Sequence, residues 1–138
     1  MYSSERNKLR HVIFTAWQKH LQKQLLEPLE AQIVDVVLCH PEYHEMLTDA
    51  DQFQDQDFGD TNPFLHLSLH LALREQIATN RPAGILQVYE TLCKKLNNPL
   101  AAEHSMMECL EEVLWEAQRT SVAPDENLYL EKLKSRIN

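Results

Sequence analysis

Glycine is nearly missing from this chain, with two residues in 138. Tight β-hairpins draw on glycine for their positive-φ positions, and no sustained alternation of Val, Ile and Thr offers another strand signal, so a sheet protein is not expected. Basic charge is also scarce. Lys and Arg number 13 against 21 Asp and Glu, giving a formal net charge of −8. No basic stripe stands out, which argues against a nucleic-acid partner. No apolar run approaches the ~18 residues of a membrane span, and the N-terminal stretch Met-Tyr-Ser-Ser-Glu-Arg-Asn-Lys lacks the apolar core of a signal peptide. The expectation is a cytoplasmic protein with no membrane partner. Cys39, Cys93 and Cys109 are odd in number, far apart and flanked by apolar residues, a pattern of free buried thiols rather than of a disulfide framework. A Gly-rich phosphate loop, a Gly-x-Ser-x-Gly elbow and a His-Glu-x-x-His helix are all missing.

What is present is helix. The length suits one domain that buries roughly 70% of its unfolded surface without disulfides. We expect a single all-α domain over residues 1–138, a bundle of about five to six helices around a central helix at 62–79. That helix opens with Asn62 as N-cap and Pro63 at the first position, where a missing N–H costs nothing. Leu65, Leu67, Leu69, Leu71, Leu73 and Ile77 then cover most of its circumference, as in a buried helix.

The other prolines, at 28, 41, 82, 99 and 124, divide the rest of the chain. A first helix is expected from near Ser4 to about Leu26. A second starts at Pro28 and presents Leu29, Ile33, Val36 and Val37, with His40 and His44 continuing the same face. Pro41 biases His40 away from helical geometry, so this helix either kinks there or stops and a short new one begins. Residues 48–61, with five aspartates and no periodicity, read as an acidic loop; the EF-hand spacing is missing from it. A fourth helix is expected over Ile85–Leu96, a fifth from about Leu100 to Thr120 behind the Asn98-Pro99 start signal, and a last short one after Pro124. On the fifth, His104, Glu108, Glu111 and Trp115 form a second stripe beside the apolar face.

Three helices thus carry pairs at i, i+4: His40 with His44, His66 with His70, and His104 with Glu108. This spacing sets two donor atoms about 6 Å apart on one face, the way a helix offers two ligands to one ion. The set takes in five of the seven histidines. Imidazole with a carboxylate suits Zn, Fe, Ni or Mn, and six donors exceed one tetrahedral zinc, implying a six-coordinate ion or a dinuclear centre. His66, His70 and His104 are the principal candidates, followed by Glu108, then His40 and His44, whose geometry hangs on Pro41. The competing reading is a metal-free core in which each imidazole has a hydrogen-bonding partner.

Several stretches also carry a family resemblance. His40-Pro41-Glu42-Tyr43-His44, Asn62-Pro63-Phe64-Leu65-His66-Leu67-x-Leu69-His70, Arg81-Pro82-x-Gly84-Ile85, Glu103-His104-x-Met106-Met107-Glu108 and Trp115-x-x-Gln118-Arg119 resemble the motifs of an uncharacterised proteobacterial family, the domain of unknown function 1841. The resemblance implies a small bacterial protein of helical build and brings with it no activity and no assigned site.

Two functions are therefore expected in competition. One is a transition-metal-binding helical bundle, mono- or dinuclear, whose reaction and small-molecule substrate the residues do not name. The other is a metal-free structural or protein–protein interaction module, such as a homodimer, with Trp17, Trp115 and Phe64 as anchors.

Overall fold

The computed structural model describes residues 2–49 and 62–138, with side chains from Lys8 onward. Among them are seven α-helices, one 3₁₀ turn and no strand, so the chain is all-α. They are α1 (Tyr2–Leu21), α2 (Pro28–Leu38), the 3₁₀ turn (Pro41–Tyr43), α3 (His44–Thr48), α4 (Pro63–Thr79), α5 (Ile85–Leu96), α6 (Pro99–Thr120) and α7 (Glu126–Ser135). The chain forms two compact units, Met1–Leu71 and Ala72–Asn138. Most of the expected acidic loop, from residue 50 to 61, lies outside the described residues.

The first unit is built on a core of Ile13, Phe14, Ala16 and Trp17 from α1, Ile33, Val34, Val36 and Val37 from α2, Met46 and Leu47 from α3, and Phe64 and Leu67 from α4. Helix α1 stops at Leu21, short of the expected Leu26. Lys23 takes a left-handed φ of 58°, and the Gln24 N–H reaches back to the Lys19 carbonyl at 2.9 Å, a closing turn that satisfies the last carbonyls. Helix α2 starts at Pro28, and Glu30 in its first turn accepts from the Glu27 N–H at 2.8 Å while pairing with Lys19 at 2.9 Å. Its end follows from Pro41: His40, the residue before the proline, sits at φ −128°, ψ 71°, outside helical space. Of the two outcomes open at Pro41, the helix stops and a short turn leads into α3. Helix α3 is tied to α1 by Trp17, whose Nε1 donates to Thr48 Oγ1 at 3.2 Å. Asn62 caps α4 as expected, accepting from the Phe64 N–H at 2.9 Å and the Leu65 N–H at 3.3 Å. Not all of that helix is covered, for Leu65 is 46% exposed.

In the second unit Leu73, Ile85, Val88, Leu92, Ala102, Met106, Met107, Cys109, Leu110, Val113, Tyr129 and Leu133 are buried. Asn80 ends α4 in a left-handed conformation, φ 52°, and its Oδ1 then accepts from the N–H groups of Gly84 and Leu86 at 3.1 and 3.2 Å. Gly84 has φ 103°, a conformation that strains any residue with a Cβ. Asn98 caps α6 through the Leu100 and Ala101 N–H groups, and Asp125 does the same for α7 through Asn127 and Leu128. Three side-chain hydrogen bonds, made by two residue pairs, hold the residues of α4 beyond Leu71. The Tyr129 hydroxyl donates to Gln76 Oε1 at 2.6 Å, and Arg74 grips Glu103 through Nε at 2.8 Å and Nη2 at 3.2 Å.

The expected stripe on α6 is an ordinary solvent face over most of its length. Glu108, Glu111 and Trp115 are exposed, and Glu108 pairs with Arg136, just past α7, at 2.9 Å, and Glu112 with Lys132 of α7 at 3.1 Å. Of the three cysteines expected to be buried, Cys109 is, Cys93 is half-buried, and Cys39 is exposed. Cys39 follows the last turn of α2, where the chain turns away toward Pro41 and no core face continues.

Candidate metal centre

Within the first unit the residues around Pro41 and the start of α4 bring three imidazoles to one point. His40, at the end of α2, directs Nδ1 at the Val36 carbonyl, 2.8 Å away. A carbonyl only accepts, so Nδ1 carries the proton and the Nε2 of the neutral ring presents a lone pair. Toward that Nε2 come two more: His66 Nε2 at 3.1 Å and His70 Nε2 at 3.2 Å. The i, i+4 spacing on α4 places His66 and His70 side by side, as the sequence requires.

The rings stand around a common centre rather than in a stack. Their centroids are 4.9, 4.7 and 4.8 Å apart, with interplanar angles of 77°, 65° and 80°. His40 and His70 are 2% and 0% exposed, and His66 is half-buried. Tyr43, from the 3₁₀ turn, stacks flat on His40 with centroids 5.3 Å apart and planes 3° apart, and meets His66 edge-on at 6.2 Å. Burial, with the Glu42 charge nearby as a lesser cause, pushes the Tyr43 phenol above its usual range.

The one in-plane lone pair of His40 Nε2 cannot serve two neighbours equally well, so the two imidazoles compete for it. A cation at the centre removes that conflict. Nitrogens bound to zinc at 2.0–2.1 Å in a tetrahedron lie about 3.3 Å from one another, close to the 3.1 and 3.2 Å found here. Chemistry and spacing of the donors therefore fit a transition-metal ion, and the three belong to a histidine group able to hold one.

Two of the remaining candidates, His44 and Glu108, have other observed surroundings. His44, beyond Pro41, points Nε2 at the Val37 carbonyl at 2.9 Å and packs its ring 4.6 Å from that of Trp17; it braces the first unit. His104 is half-buried on α6 in the second unit, next to Glu103. The exposed Glu108 carboxylate engages Arg136 at 2.9 Å. One feature escaped the sequence reading. Tyr43 carried no signal beyond lying between two histidines.

Comparison with curated proteins and with solved structures finds no match. A family model described as "Domain of unknown function (DUF1841)" matches residues 5–135, a stretch that takes in every histidine discussed above. The chain belongs to that family, and its motifs around His40, Asn62–His70 and His104 are where it had resembled it.

Proposed function

We propose that this protein is a transition-metal-binding helical protein whose centre is built on His40, His66 and His70. The observation that carries the proposal is the convergence of His66 Nε2 and His70 Nε2, at 3.1 and 3.2 Å, on the one lone pair of His40. Three imidazoles suit Zn, Fe or Ni better than Mn, which favours oxygen donors. Three donors leave a tetrahedral ion one further position, for which the sequence offers His104 and solvent offers water. Whether the centre is catalytic, sensory or a store depends on that position, because an ion with an open site can act as a Lewis acid.

The test is elemental analysis of protein purified without an affinity tag from a bacterial cytoplasm, the compartment we propose for it. About one equivalent of a transition metal, lost in His66→Ala and His70→Ala, is expected. Less than about a tenth of an equivalent, with none taken up by the apo protein under reducing conditions, overturns the proposal. His104→Ala assigns the fourth donor by the change in affinity.

A second reading, an interaction module, draws on Trp115 alone of its three expected anchors. Trp115 is 62% exposed, while Trp17 and Phe64 are 3% and 2% exposed and belong to the core. Sedimentation mass with and without chelator separates the readings: a dimer that ignores chelator and is broken by Trp115→Ala favours the second.

A further inference from the structure

The second unit holds a cleft of about 1350 Å³ between the last turn of α4, the turn that follows it, the second half of α6 and the start of α7. All of its lining lies within residues 75–130, inside that unit, and His40, His66 and His70 take no part in it. Its apolar wall is Leu110, Val113 and Leu114 of α6 with Leu130 of α7. Leu110 and Val113 are buried, while Leu114 keeps 42% of its surface open. Two donors meet at one end of the cleft. The Arg81 N–H bonds to the Gln76 carbonyl at 3.0 Å, and Asn80 Oδ1 fixes the turn beside them through the Gly84 and Leu86 N–H groups. The Tyr129 hydroxyl occupies Gln76 Oε1 at 2.6 Å, so the amide N–H groups are the end of that side chain left to donate. Arg81 is exposed and takes part in none of the ion pairs among the described residues. Of the three carboxylates on the cleft, Asp125 is engaged in capping α7, and Glu75 and Glu126 are exposed.

We propose that this cleft binds a small monocarboxylic acid with an apolar body, the carboxylate taken by Arg81 and the Gln76 amide and the body laid on the four apolar side chains of α6 and α7. An apolar lining with a few convergent polar groups is the usual make-up of a small-molecule site. The guanidinium supplies paired N–H donors in the geometry that a carboxylate accepts. Glu75 and Glu126 limit the charge of the ligand, because a second negative group on it would meet carboxylates in place of a cation. The cleft is larger than one drug-sized molecule needs. It therefore selects for one negative head and an apolar body more than for the length of that body.

The experiment is calorimetric titration of the full chain with octanoate, 1-octanol and octanedioate, which share one chain length and differ in charge. Octanoate should bind saturably with a midpoint at or below about 1 mM, and the alcohol and the diacid at least about tenfold more weakly. Arg81→Gln should bring octanoate down to the affinity of the alcohol, and Leu114→Gln should weaken both; each alters an exposed side chain, so the fold is expected to survive. Octanoate that fails to saturate by about 10 mM, that binds no better than the alcohol, or that binds Arg81→Gln as well as the parent protein overturns the proposal. The last probe is a tetrapeptide ending in two leucines with a free carboxylate. Binding at least about tenfold tighter than octanoate would make the occupant a peptide end and overturn the small-molecule assignment.

Discussion

Arg74 holds Glu103 in a two-point grip, Nε to Oε1 at 2.8 Å and Nη2 to Oε2 at 3.2 Å, with the carboxylate side chain only 6% exposed and the guanidinium 33%. Removing the carboxylate leaves a partly buried cation without that anchor. Glu103→Ala should destabilise the protein by roughly 2–4 kcal/mol, the partial exposure of Arg74 keeping the loss at or below the usual range for a broken buried pair. A shift in the urea midpoint checks it, and Glu103→Gln, which keeps one acceptor, should lose less.

His44 and His70 test whether position on the chain or position in space decides ligation. His70→Ala should abolish metal retention. His44→Ala should leave the metal content unchanged while lowering stability by about 1–2 kcal/mol, because the Val37 carbonyl loses its imidazole donor at 2.9 Å. Metal loss in both variants would return His44 to the ligand set.

Tyr43 is the flat surface against which the His40 ring lies, 3° from parallel. Groups that orient a ligand ring commonly govern affinity by 10–100-fold. Tyr43→Ala should weaken metal binding about tenfold, measured by competition with a coloured chelator, and Tyr43→Phe, which keeps the ring, should restore most of it.

Glu30 predicts a limb of the acid stability profile. The Glu27 N–H first, and the Lys19 ammonium second, hold its carboxyl below the usual glutamate range. A carboxylate with a depressed folded value binds fewer protons in the folded chain than in the unfolded one, so its contribution is present above the unfolded value near 4.3 and is lost as pH falls through the folded value. Glu30→Gln should therefore be less stable than the parent at pH 7. The two urea midpoints should converge as the pH falls below about 4.

Helix starts were legible because they are local. Asn62, Asn98 and Asp125 accept backbone N–H groups two and three residues ahead of themselves, and nothing distant has to be known to predict it. The all-α class followed from the same kind of signal. His66 and His70 were legible as a pair because an unbroken helix fixes their common face. His40 and His44 were legible as residues and illegible as a pair, since the break at Pro41 gives them different carbonyls, Val36 and Val37, and sends them to different neighbours. The ion pair of Glu108 was hidden for a related reason. Its partner Arg136 lies 28 positions away, and spacing within one helix cannot reveal a competitor on another. Tyr43 was invisible because stacking depends on a turn geometry that the pre-proline residue sets.

The contact between His40 and His66 spans 26 positions of the chain. An ion joining those two rings would act as a removable cross-link, closing a loop of that length in the unfolded ensemble as a disulfide does, worth about 3–4 kcal/mol by chain entropy alone. Chelation would then reopen a topological constraint as well as empty a site.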